Sequence, residues 1–147
     1  MVHGGRLVAQ ALKRHGIDHV FTLCGGHIQA IYDGCLDEGI RVVDTRHEQT
    51  SGHCADGYAR VTGKPGVCLV VPGPGLLNAT AALSTAYACN SPVVCVTGQI
   101  QSDLIEFGRG LLHEIPNQLG MVRSVTKNAE RAVTPEEIPG LVDRAFT

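Results

Sequence analysis

The chain has 147 residues, the length of one domain, with 18% charged and 44% apolar residues; this excludes a disordered or collagen-like chain and leaves enough material for a core. Twelve Lys and Arg stand against fourteen Asp and Glu, a net charge of -2, so there is none of the basic excess that binding to a nucleic-acid backbone requires. Six Cys without a C-x-x-C pair, sitting mostly in apolar runs, read as buried, reduced thiols rather than disulfides or zinc ligands. The first residues carry no basic segment followed by an apolar one, and no apolar run reaches the ~18 residues of a membrane span. These features predict a cytoplasmic protein with no membrane partner.

In chain order, Leu7, Val8, Ala11 and Leu12 recur at helical spacing before His15-Gly16, predicting a helix from Gly5 to His15. His19 to Leu23 reads as a short buried strand. Cys24-Gly25-Gly26 is its turn, and Ile28, Ile31, Tyr32, Cys35 and Leu36 mark the buried face of a second helix closed by Gly39. Ile40 to Asp44 is the second strand. A helix follows over His47 to Val61, then a strand over Gly66 to Val71, a small-residue helix over Leu76 to Cys89 and a strand over Pro92 to Thr97. From Pro65 to Ser102, 38 residues contain no Asp, Glu, Lys or Arg, which predicts that this stretch is largely covered. Pro72-Gly73-Pro74-Gly75, Asn90-Ser91-Pro92 and Gly98-Gln99 break it with turn formers and exclude a membrane hairpin.

The alternation of both-sides-apolar strands with helices predicts an α/β fold, a doubly wound, mainly parallel sheet with helices on both faces. Ligands of such sheets bind beyond the carboxyl ends of the strands. Ser102 to Gln118 reads as a Gly-rich loop and Ser124 to Ala132 as an edge strand. Thr134-Pro135-Glu136-Glu137 starts a last helix with a cap, a first-turn Pro and two carboxylates. That helix reaches Thr147 without a stop signal where another strand would be due, which predicts a fragment or split subunit lacking its last strand.

Glu48 stands directly after a strand, at a helix start, among potential donors in Thr45-Arg46-His47-Glu48-Gln49. Such a carboxylate can be held in a fixed direction for chemistry; it would equally serve as a first-turn Glu stabilised by the helix dipole. His47 and His53 do not make a zinc motif, since H-E-x-x-H needs a His at position 51, which is Ser. Pro72-Gly73-Pro74-Gly75-Leu76-Leu77-Asn78 is a stiffened turn whose glycines allow a ligand near the backbone, or simply a rigid surface turn. It lacks the spacing of a phosphate loop, and no G-x-G-x-x-G follows the first strand, so a nicotinamide-binding domain has only fold analogy behind it.

Taken together, His19-Val20-Phe21-Thr22-Leu23-Cys24-Gly25-Gly26-His27, Arg46-His47-Glu48-Gln49 with Ala55-Asp56-Gly57-Tyr58-Ala59-Arg60, Gly73-Pro74-Gly75-Leu76-Leu77-Asn78, Ser91-Pro92 and Thr97-Gly98 resemble the thiamine-diphosphate-dependent enzymes. The resemblance is to the N-terminal, pyrimidine-binding domain of the acetolactate synthase branch, and it covers His3 to Phe146. It implies that residues 1–147 are one such domain and that Glu48 hydrogen-bonds N1′ of the cofactor's aminopyrimidine. That bond favours the imino tautomer, which takes the thiazolium C2 proton and leaves an ylide able to attack a 2-keto acid. It further implies that Gly25, Gly26, Gly73, Pro74, Gly75 and Asn78 surround the pyrimidine.

The sequence departs from the family in three places. Cys24-Gly25-Gly26 stands for the usual Pro-Gly-Gly, Val71 for a common Thr, and Leu112-His113-Glu114 for a Phe-Gln-Glu segment that approaches thiazolium and substrate. The last places His113 near the cofactor. Thr22 to His27 looks closer to acetolactate-synthase-like proteins and 2-hydroxyacyl-CoA lyases than to biosynthetic acetolactate synthase. The Gly-Asp-Gly motif of the Mg2+- and diphosphate-binding domain does not occur here, so no metal ligand is assigned. The resemblance implies a partner, either a second copy or a diphosphate-domain subunit, and an isolated chain without activity. FAD is compatible with the family but no motif indicates it. A non-catalytic assembly module derived from such an enzyme is the alternative.

Overall fold

A computed structural model describes residues 3–147. Its elements are α1 (Gly4–Arg14), β1 (His19–Thr22), α2 (Gln29–Asp37), β2 (Arg41–Asp44), α3 (Glu48–Thr62), β3 (Gly66–Val70), α4 (Pro74–Ala88), β4 (Val93–Thr97), α5 (Gln118–Arg123) and α6 (Ile138–Ala145). Short 3-10 turns precede α2 and α6 and follow β4. All strand pairings are parallel, in the order β2-β1-β3-β4. The chain crosses from one side of β1 to the other when it passes from β2 to β3, so the carboxyl ends of β1 and β3 form the crevice where doubly wound sheets bind ligands.

Side-chain alternation along β3 divides the interior. Val67 and Leu69 face a core built with Val8 and Leu12 of α1, Ile31 and Cys35 of α2 and Val142 of α6, while Cys68 and Val70 face Ala55 of α3 and Leu76, Ala79 and Leu83 of α4. Helices therefore cover both faces, as the pattern predicts. α6 is held to α1 by Asp143, which accepts from His15 Nε2 at 2.8 Å and Arg14 Nη2 at 3.3 Å, and by His15 stacking on Phe146.

Four expectations are corrected. Ser124 to Ala132 is not a strand: the Ser124 and Thr126 hydroxyls donate back to the carbonyls of Met121 and Val122 at 2.8 and 2.9 Å. These bonds curl the segment around the end of α5, whose Met121 and Val122 pack on the α4 side of the core. Only Cys35 and Cys68 of the six thiols are buried, and Cys24 and Cys89 are exposed, though all six are free. Leu36 belongs to the exposed side of α2 at 71%. Within the charge-free stretch β3 and the inner side of α4 are covered, yet Leu77 and Tyr87 on the outer side of α4 stand out at 43% and 53% exposure.

The sheet approaches α3 closely at Gly66, where a Cβ would overlap the carbonyl of Ala55. Backbone lies on both sides of that contact, so no side chain can swing aside. Gly66→Ala should destabilise the fold by about 1–3 kcal/mol, read as a lower urea midpoint; an unchanged midpoint would show that β3 and α3 can separate freely.

Candidate cofactor site at the carboxyl ends of the strands

Glu48 is positioned by the end of β2. The Thr45 N–H donates to the Thr22 carbonyl at 2.8 Å, and its buried hydroxyl lies 3.0 Å from that same carbonyl, 3.1 Å from His47 O and 2.8 Å from Ser51 Oγ. One side chain thus ties β1, β2 and the first turn of α3 together. His47 caps α3, its Nδ1 accepting from Gln49 N–H at 3.1 Å, and Arg46 is exposed beside Asp44. Neither flanking residue holds the Glu48 carboxylate. Asn78 of α4 does so, donating from Nδ2 to Oε2 at 2.9 Å. Glu48 is 8% exposed, and among the described residues no donor reaches its Oε1.

The turn after β3 has one conformation open to it. Gly73 has φ 58° and ψ -118°, and Gly75 N–H donates to Pro72 O at 3.3 Å, a type II′ arrangement that favours Gly at the first central position. Pro74 then starts α4 where its missing N–H costs nothing. A Cβ on Gly73 would overlap the carbonyl of His113, which places the 113 segment directly on the turn. The methyls of Val71 lie between the two glycine turns, against Gly25 on one side and Gly75 on the other. A Cβ on Gly75 would come within 3.3 Å of Glu48 Oε1, so the carboxylate sits over the start of α4. Gly26 has open space on its Cβ side.

The structure therefore gathers Gly25, Glu48, Gly73, Gly75, Asn78 and His113 around the β1/β3 crevice; Pro74 and Gly26 beside them are exposed. His113 adopts φ 68°, unusual for a residue with a Cβ, and its Nδ1 lies 3.0 Å from Pro72 O. Its ring meets His27 edge to face, centroids 4.9 Å apart. His27 and Gln118 are the participants that the sequence did not single out. Gln118 accepts from Gly73 N–H at 2.8 Å and donates to Gly98 O at 3.0 Å. His27 closes the first quoted motif without a role of its own and nothing local marks Gln118; their partners lie 86 and 45 or 20 positions away.

Residues 2–121 match the family described as thiamine pyrophosphate enzyme, N-terminal TPP binding domain. The chain belongs to this family. It is 44% identical over 145 residues to the acetolactate synthase large subunit IlvG of Mycobacterium tuberculosis, covering 99% of this chain and 26% of that protein. A 2-hydroxyacyl-CoA lyase 2 of Danio rerio is 41% identical over 144 residues, 98% of this chain and 23% of its own length. The protein named probable 2-ketoarginine decarboxylase AruI of Pseudomonas aeruginosa is 42% identical over 142 residues, 97% and 25%. The chain spans about a quarter of the length of these relatives. Among the described residues no helix is long and apolar enough to cross a membrane.

Burial, and then repulsion from His113, holds the His27 imidazole below its ordinary value of 6.5. The folded chain thus favours neutral His27 while the unfolded chain binds more protons just below 6.5, so this residue's contribution to stability is lost as pH falls through 6.5 and levels off below the folded pKa. Proton NMR titration should find the His27 resonance moving below 6.5. His113→Asn, suited to a positive φ, should return it part of the way; a midpoint at or above 6.5 in the unsubstituted chain would exclude this picture.

Proposed function

We propose that residues 1–147 are the pyrimidine-binding part of a thiamine-diphosphate-dependent carboligase or decarboxylase acting on a 2-keto acid, with Glu48 as the residue that polarises the cofactor. The observation that carries the reading is the buried carboxylate fixed by Asn78, its second oxygen reached by no donor among the described residues, beside two glycine turns at the strand ends. A ring nitrogen able to donate a hydrogen bond suits that oxygen. The stiff II′ turn and the Val71 methyls give an aromatic ring a flat apolar support, and Gly26 leaves room for it. The residues present fit an aminopyrimidine.

In this reading thiamine diphosphate, when bound, supplies the electron sink that stabilises the carbanion left when a bond next to a carbonyl breaks. The protein's part is orientation and proton management. Asn78 fixes the plane of the Glu48 carboxylate, so that Oε1 would accept from the ring nitrogen in its protonated form, and low exposure would strengthen that bond relative to one in water. The Gly25 and Gly73–Gly75 main chain would hold the ring. His113, with Nδ1 3.0 Å from Pro72 O, and His27 in ring contact with it would face the reacting atoms and substrate. The diphosphate and Mg2+ would be held by a second domain or subunit, in line with a chain spanning a quarter of its relatives. The 2-hydroxyacyl-CoA lyase relative and the Thr22 to His27 segment favour one second reading, cleavage of a 2-hydroxyacyl-CoA, which uses the same Glu48 step.

In the whole protein Glu48→Gln, which keeps shape and the Asn78 contact, should lower turnover of a 2-keto acid by about 10²–10⁴-fold with an unchanged melting temperature. Near-normal turnover would remove Glu48 from the mechanism. Calorimetry on the 147-residue chain should find thiamine diphosphate bound weakly and little better than thiamine; tight, Mg2+-dependent binding would reveal a diphosphate site within these residues. A Glu48→Gln protein and a parent that are both inactive, with no binding once any partner is present, would favour a non-catalytic assembly module.

A further inference from the structure

The ladder between β3 and β4 ends at Val70 and Thr97, followed by one bond from Gly98 N–H to Val70 O at 3.3 Å. Beyond it the two chains diverge into their turns, leaving the Gly73 N–H and the Gly98 carbonyl without a main-chain partner. Gln118 spans them. Its Oε1 accepts from Gly73 at 2.8 Å, its Nε2 donates to Gly98 at 3.0 Å, and the residue is 9% exposed. A primary amide presents a donor and an acceptor as a peptide group does, so the side chain continues the sheet by one rung. Among the described residues the only other donor near Gly98 O is the Thr97 hydroxyl at 3.4 Å, too long to replace it. Gln118 is also the first residue of α5, whose cap Asn117 accepts from Gly120 N–H at 2.9 Å. The rung is therefore anchored to a helix and not to a free loop.

We infer that Gln118 is a positioning residue of the cofactor site: its carboxamide sets the II′ turn that carries Gly73 and Gly75 and, one helical turn later, Asn78, and through Asn78 it sets the direction of the Glu48 carboxylate. The inference rests on the reading of this crevice as the pyrimidine pocket. The chemistry required of position 118 is simultaneous donation and acceptance. An ionised carboxylate of the same shape offers only acceptors and turns one of them against the Gly98 carbonyl. A protonated carboxyl offers one donor and one acceptor and restores both bonds. Leucine fills the volume and makes neither.

Gln118→Glu and Gln118→Leu in the whole protein, with thiamine diphosphate and Mg2+ titrated at about pH 6 and about pH 8, separate a clamp from a filler. A buried carboxyl facing a carbonyl oxygen titrates well above the ordinary value of about 4.3. Relative to the unsubstituted protein, Gln118→Leu should raise the half-saturating cofactor concentration by roughly 5- to 100-fold at both pH values, the scale of a buried group left unpaired. Gln118→Glu should match it at the higher pH and recover at the lower. Exchange of the Gly73 amide proton, a readout independent of the cofactor, should quicken in parallel, and should Gln118→Leu not fold, Gln118→Glu carries the comparison by its pH dependence. Cofactor affinity unchanged in a folded Gln118→Leu protein, or a Gln118→Glu defect equal at both pH values, would overturn the inference. Full turnover in Glu48→Gln with Gly73 still released by the Gln118 variants would instead remove the pyrimidine reading and leave only a loop clamp.

Discussion

The II′ turn at Pro72–Gly75 is the constraint from which the crevice is built, because four separate parts of the chain are fitted to its single conformation. Its positive φ at Gly73 sends α4 away from the sheet edge at the angle that places Asn78 against Glu48. The Pro72 carbonyl carries both the turn's own hydrogen bond and His113 Nδ1, the Gly73 amide is held by Gln118, and Gly75 leaves just enough space for Val71 and the carboxylate. Two prolines restrict the alternatives that a glycine-rich turn would otherwise sample. A displacement of this turn would move all four at once.

The electrostatics of the crevice are equally economical. Glu48 is a carboxylate of low exposure whose protein partner is a neutral amide, and the residues from Pro65 to Ser102 that pack around it carry no formal charge. The Arg46 and His47 side chains, its sequence neighbours, serve the surface and the helix cap instead. A carboxylate so placed keeps one oxygen available while the other fixes its plane, and among the described residues no cation pairs with it in competition with a ligand's donor. The His27–His113 pair adds two imidazoles at the opposite end of the turn, and burial together with their mutual repulsion works against charge on His27.

What was legible in the sequence follows from short-range physics. The alternation of apolar runs and helical periodicities gives the parallel α/β order, since each strand and helix must bury its own apolar residues whatever its neighbours do. Pro72-Gly73-Pro74-Gly75 could be read as a stiff turn and Glu48 as a helix-start carboxylate for the same local reason, and the ordered motifs carried the family resemblance. The misread edge strand at Ser124 to Ala132 marks the limit of such reading: Val125 and Thr126 suit a strand, yet the Ser124 and Thr126 hydroxyls return to the α5 carbonyls of Met121 and Val122.

The sequence by itself determined the strand and helix order, the stiff glycine turn and the presence of a carboxylate at the start of α3, because each depends on residues a few positions apart. Tertiary structure alone decided that Asn78, and not Arg46 or His47, directs that carboxylate, that His27 meets His113, and that Gln118 closes the sheet between Gly73 and Gly98. Those contacts join residues 20 to 86 positions apart, and a hydrogen-bonding side chain carries no mark in the sequence of which distant donor or acceptor the folded backbone will bring within 3 Å of it.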